Sequence, residues 1–118
     1  DIDPELEHLR LLLMNLREVL ELPPLKVQLK STLPISAGLG SSAAVAASVT
    51  KAIYKYKEKE LSKEALFEHV QFSERIAHGV SSGIDTLIIT TGKGYIFSRD
   101  GEKQALNYDL DAYLIIGN

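Results

Sequence analysis

P-I-S-A-G-L-G-S-S-A, Pro34 to Ala43, runs directly into an alanine-rich stretch of helical character. That is the arrangement a chain needs to hold an anion with backbone amides. Gly38 and Gly40 open backbone conformations closed to other residues and clear side chains from the path of a ligand. Ser41 and Ser42 fall at the helix entrance, where free N–H groups and the positive end of the helix dipole favour phosphate oxygens. The same residues also suit a plain Gly/Ser turn capping a core helix, and the loop alone leaves both readings open.

Two common nucleotide-binding loops are disfavoured. A Walker-type loop needs a lysine beside the hydroxyl residue, whereas Ala43 and Ala44 follow Ser42. The dinucleotide fingerprint is a poor match, because Ala43 rather than glycine falls at its third position and the only late acidic candidates lie in a Lys/Glu-rich stretch. The chain has 118 residues, of which 45% are hydrophobic and 25% charged, so it fits one domain with its own core. A net charge of −3 without a basic run argues against nucleic acid or an anionic membrane as partner. The absence of cysteine excludes a disulfide framework and a thiolate metal site, and implies a reducing compartment. His8, His69 and His78 lack the spacing of a ligand cluster. The apolar run Leu11 to Met14 falls far short of the ~20 residues of a membrane span. Because the chain opens on D-I-D-P-E-L without methionine and closes after L-I-I-G-N, it is expected to be a piece of a longer protein.

The pattern predicts helices and strands in mixture. Asp3 caps a helix with Pro4 in its first turn, and Leu6, Leu9, Leu13, Leu16 and Leu20 recur at helical spacing until Pro23-Pro24. Leu25, Val27 and Leu29 alternate with polar residues, as a half-buried strand does. From Ser42 to about Tyr56, Val45, Val49, Ala52, Ile53 and Tyr56 trace one helical face beside small alanines that permit close packing. Ser62 caps a further helix through Leu66, Val70 and Ala77, stopped by Gly79. Ile84 to Thr91 reads as a helix, although its β-branched residues would also suit a strand. Gly94 to Ser98 and Lys103 to Tyr108 read as a hairpin around Arg99-Asp100-Gly101, and Tyr113 to Ile116 as a buried strand.

Two carboxylates could carry chemistry. Glu74 follows Phe67 and Val70 along an apolar strip, with His78 one turn further on the same side. Either it lies at the solvated edge and pairs with Arg75 or Lys63, or it is a ligand for a hard cation such as Mg²⁺. Asp85, after H-G-V-S-S-G-I, is either an acid stabilised by the first helical turn or a group that accepts a proton from a substrate hydroxyl. Gly79, Ser81 and Gly83 also match the G-x-S-x-G nucleophile elbow, but the residues before them are helical in pattern and no histidine follows Ser81.

Together, P-I-S-A-G-L-G-S-S-A and E-R-I-A-H-G-V-S-S-G-I-D, Glu74 to Asp85, resemble the GHMP small-molecule kinases, and the second string is similar to their mevalonate kinase branch. The resemblance covers about Leu25 to Ile116. It implies an α+β fold, the ribosomal-protein-like two-layer sandwich of the GHMP N-terminal domain, spanning 1–118 with the C-terminal domain outside the chain. It implies ATP and Mg²⁺ as cofactors, with Pro34, Ala37, Gly38, Leu39, Gly40, Ser41, Ser42 and Ala43 at the nucleotide. Ser42 and Glu74 would hold the metal and Asp85 would face the substrate hydroxyl. His78, Gly79, Ser82 and Gly83, with Asp85, would shape a pocket for a small alcohol such as mevalonate. The family's lysine helping this aspartate matches no residue here. A cytoplasmic location is expected from the lack of cysteine, of a membrane-length apolar run and of a secretion signal, and a homodimer from the family alone. Another GHMP substrate (phosphomevalonate, homoserine or a sugar), or a relative that binds without turnover, is the alternative.

Overall fold

A computed structural model describes residues 6–30, 41–79, 83–92, 94–97 and 102–106. Four helices come first, α1 (Glu7–Leu20), α2 (Ser41–Tyr56), α3 (Lys63–His78) and α4 (Ile84–Thr91). A hairpin of β1 (Gly94–Phe97) and β2 (Lys103–Leu106) follows. The strands are antiparallel, with Tyr95 opposite Ala105 and Ile96 opposite Gln104. The two segments of this hairpin and the helical reading of Ile84 to Thr91 match the sequence expectation. Asp3, Pro4, the turn Arg99-Asp100-Gly101 and the strand Tyr113 to Ile116 lie outside the described residues, as does Pro34 to Gly40.

Helix α3 is the centre of the bundle, packing against α1, α2 and α4. Its start is fixed as the sequence implies: Ser62 has extended backbone, and its hydroxyl accepts from the Ala65 N–H at 3.0 Å. At its end the Gly79 N–H returns to the Arg75 carbonyl at 2.8 Å. A leucine seam from α1 meets Val49 and Ile53 of α2 and Leu66 and Val70 of α3 in one core. Ala43, Ala46 and Ala47 are buried in that core, and their small side chains let the first turns of α2 come close to α3.

Three details of the apolar pattern are corrected. In α1 Leu12 and Leu16 are fully buried, Leu13 is only partly buried against the core, and Leu6 is exposed, because the core stripe passes through Leu9, Leu12, Leu16 and Leu20. In α2, Ala52 and Tyr56 face solvent while Tyr54 is buried. The Tyr54 hydroxyl lies 2.7 Å from His69 Nε2, which draws this ring toward α3. On α3, Ala77 is exposed.

The strand expected at Leu25 to Leu29 does not form. These residues carry no strand hydrogen bonding, and Leu25, Val27 and Leu29 are all exposed. A strand exists only through the ladder it shares with a neighbour, and among the described residues the one sheet is the β1–β2 hairpin. Among the same residues, no helix is long and apolar enough to cross a membrane.

Candidate active site

Ser42 stands in the first turn of α2 and Glu74 in the last turns of α3, yet they touch. The Ser42 hydroxyl donates to Glu74 Oε1 at 2.8 Å, with Oε2 at 3.2 Å. The carboxylate is only 3% exposed. The solvated-edge reading of Glu74, paired with Arg75 or Lys63, is therefore overturned: the group is buried and faces α2. Close helix packing at Ala43 and Ala46 permits this approach. One turn further along α3, His78 Nε2 lies 3.1 Å from Glu74 Oε2 and 3.3 Å from Ser42 Oγ. The imidazole is more than half exposed, so this cluster has a buried carboxylate floor and a ring at the solvent edge.

Asp85 is exposed in the first turn of α4. The backbone enters that helix through Gly83, which sits at φ 82°, a conformation that disfavours any side chain. A Cβ on Gly83 would come within 3.6 Å of the Phe67 ring tip and 3.8 Å of Gln71 Nε2, so this entry lies close over α3. Next to Asp85, the fully buried Thr86 donates its hydroxyl to Gln71 Oε1 at 2.6 Å. Phe67, Gln71, Glu74 and His78 recur at four, three and four residues, which places them along one face of α3. The start of α2, the second half of α3 and the start of α4 thus converge.

The residues singled out from sequence distribute as follows. Ser42, Glu74 and His78 are brought into contact. Ser41 opens α2, and the Ala43 side chain is buried in the core. Gly79 caps α3 and Gly83 precedes α4. Pro34, Ala37, Gly38, Leu39, Gly40 and Ser82 lie outside the described residues. The element before Gly79 is helix α3, so the strand required by a nucleophile elbow is missing there. Sequence reasoning passed over Gln71 and Thr86. Their signal was position alone: Gln71 is one turn before Glu74, and Thr86 directly follows Asp85.

Comparison with known proteins decides the family. The sequence profile described as GHMP kinases N terminal domain matches residues 7–93. The chain belongs to the GHMP kinases. It is 38% identical over 93 residues to a mevalonate kinase of Pyrococcus furiosus, covering 79% of this chain and 27% of that one. It is 36% identical over 91 residues to a mevalonate kinase of Pyrococcus abyssi, covering 77% and 27%. A mevalonate kinase of Archaeoglobus fulgidus is 35% identical over 80 residues, covering 68% and 28%. The chain thus spans about a quarter of the length of these relatives. No solved structure gives a significant match.

The donor set of this GHMP kinase domain can be tested against a divalent cation. Mg²⁺ takes hard oxygen ligands, commonly one or two carboxylates completed by water and substrate phosphates. Ser42 Oγ and the Glu74 carboxylate supply two adjacent oxygen-bearing groups of that kind. Among the described residues no three His, Asp or Glu side chains gather as a self-sufficient cage. Those two groups would fit a metal that arrives with a phosphate ligand.

Proposed function

We propose that this chain is the part of a mevalonate kinase that holds the phosphates of ATP and the reacting alcohol. The full-length protein would transfer the γ-phosphoryl group of ATP to the primary alcohol of mevalonate, giving 5-phosphomevalonate and ADP. The observation that carries this reading is the contact of Ser42 with the buried Glu74 carboxylate at 2.8 Å, across 32 residues of sequence. The mevalonate kinases among its relatives support the choice of alcohol. On this reading residues 1–118 form one domain of the ribosomal-protein-like two-layer α+β sandwich. A C-terminal GHMP domain lies elsewhere in a cytoplasmic, dimeric protein.

Phosphoryl transfer asks little covalent chemistry of a protein and much positioning. The glycine-serine segment from Gly38 to Ser42 and the entrance of α2 hold the phosphates with backbone N–H groups at the positive end of a 16-residue helix. Ser42 and Glu74 would hold Mg²⁺ through their oxygens, and the ion would offset phosphate charge when bound. The alcohol oxygen bonds to the γ-phosphorus, the bond from that phosphorus to the β–γ bridging oxygen breaks, and ADP leaves. Asp85 accepts the alcohol proton on its carboxylate. His78, Gly79 and Gly83 would line the alcohol side, and the family resemblance assigns Ser82 to it as well.

The test is ADP release by the full-length protein with Mg²⁺-ATP and, separately, mevalonate, phosphomevalonate, homoserine and galactose. Turnover on mevalonate alone is expected. Turnover on a different alcohol would keep the kinase and replace the substrate. ATP binding without turnover on any of the four would refute the catalytic reading.

A further inference from the structure

We propose that Gln71 and Thr86 form a latch that positions Asp85 against the face of α3 carrying Glu74. The inference rests on Asp85 acting on the alcohol as described above, and it assigns to two residues outside that chemistry the task of placing it. Helix α4 has eight residues, far below the length at which an isolated helix is stable in water. Its hold on the bundle must come from outside. Ile84 and Ile88 are exposed, so apolar burial fastens only part of the helix. The Thr90 and Thr91 hydroxyls bond back to carbonyls of their own helix, at 2.7 Å to Thr86 and 2.6 Å to Leu87. Thr86 instead reaches across to Gln71 on α3 at 2.6 Å, with both side chains buried.

A hydrogen bond in that place does what apolar packing does not. Two apolar side chains could fill the same space at little cost to stability, but they would leave the rotation of α4 weakly specified. A short, dry and directional bond fixes it. Thr86 is the next residue after Asp85, and consecutive Cα atoms are about 3.8 Å apart, so setting one sets the other closely. On α3, Gln71 precedes Glu74 by three residues, roughly 4.5 Å of helical rise. The latch therefore ties the site of proton transfer to the metal-binding carboxylate through one turn of α3. Gly83, lying close over Phe67 and Gln71, lets the chain descend onto the same turn.

The experiment compares Thr86→Val and Thr86→Ser in the full-length protein, each in the native and in the Asp85→Asn background. Amide hydrogen exchange reads the latch directly. Thr86→Val should speed exchange at Leu87, whose N–H donates to the Gly83 carbonyl at 2.9 Å, by about tenfold, while α3 stays protected. Turnover reads the positioning. Thr86→Val should lower kcat by about 10- to 100-fold, as an ångström of misplacement does, with KM for ATP unchanged. Thr86→Ser should restore most of both, and in the Asp85→Asn background Thr86→Val should lower kcat no further. Thr86→Ala, which removes the hydroxyl without setting a methyl group against Gln71, serves if Thr86→Val fails to fold. Unchanged exchange in α4, equal loss of protection in α3, or an equal kcat loss in the Asp85→Asn background would each overturn the proposal. A native protein silent on every alcohol would defeat the kinase reading and the positioning role with it, while the exchange result would still decide the latch.

Discussion

Replacing Glu74 by glutamine separates what this carboxylate does for the fold from what it does for chemistry. Glutamine keeps the shape and an acceptor oxygen for Ser42, removes the charge, and puts an NH2 donor in place of the second oxygen, beside His78. The hydrogen bond from Ser42, at 2.8 Å, changes from one made to a charged group, about 1.5–3 kcal/mol, to a neutral one of about 0.5–1.5 kcal/mol. The loss is about 1 kcal/mol. Against it stands the relief of a carboxylate that is 3% exposed, because each buried ion carries a desolvation penalty of about several kcal/mol. His78 offsets that penalty only in part, since it lies at the solvent edge and is cationic only when protonated. The balance predicts that Glu74→Gln is as stable as the native protein or more so. It also predicts that the metal-dependent step suffers, with Mg²⁺ affinity or turnover reduced by at least about 10- to 100-fold, the range seen when a support of a metal site is removed. The assay is a guanidinium denaturation midpoint beside an Mg²⁺ titration of ADP release, both on the full-length protein. A variant destabilised by more than about 2 kcal/mol, with its Mg²⁺ dependence intact, would refute the reasoning and make Glu74 a structural residue.

Asp85→Ala should leave stability within about 0.5 kcal/mol, because the side chain is exposed. Its turnover should fall by about 100- to 10,000-fold with ATP affinity kept. Equal losses in steady-state turnover and in calorimetric ATP binding would contradict that division. Ser73→Ala should stabilise the protein by about 1 kcal/mol, since the Ser73 hydroxyl is fully buried with no hydrogen-bond partner among the described residues. A lower denaturation midpoint would sink this expectation. Burial holds the His69 ring below its ordinary value near 6.5, with Glu68 pulling weakly the other way. The unfolded chain then takes up the proton first as pH falls, so the contribution of His69 is complete above about pH 6.5 and is lost on acidification. Denaturation midpoints measured from pH 7.5 to 5 should fall more steeply for the native protein than for His69→Gln, and parallel curves would exclude His69 as the cause.

The helices were legible because their signals are local. Ser62 caps α3 through a hydroxyl three residues from its target, and the leucines of α1 repeat at a helical interval that needs no knowledge of the partner. Even there, the choice between Leu12 and Leu13 escaped the pattern, since adjacent leucines differ by only 100° around a helix and the packing partner decides between them. The alternation at Leu25, Val27 and Leu29 failed for the opposite reason: period two describes a surface, and a strand also needs a neighbouring ladder. The contacts of the candidate site were hidden in the same way. Ser42 and Glu74 are 32 residues apart, and Gln71 and Thr86 are 15 apart, so no local window contains either pair.

Glu74 shows how such a failure becomes informative. Glutamate is among the residues least often fully buried, so composition and helical position argued for the solvated edge, with Arg75 or Lys63 as partner. The carboxylate instead faces the entrance of α2, held by a serine hydroxyl and a half-exposed imidazole, with no lysine or arginine in hydrogen-bond contact among the described residues. A fold gains little from an arrangement of this kind, because an apolar side chain at the same point would avoid the desolvation penalty. Where local preference is broken without a stabilising return, a functional demand is the usual cause. On the proposed reading the demand at Glu74 is a cation, because it would supply the positive charge that the described residues do not bring to this carboxylate, and the glycine-serine segment leading into α2 would bring the phosphate that carries it.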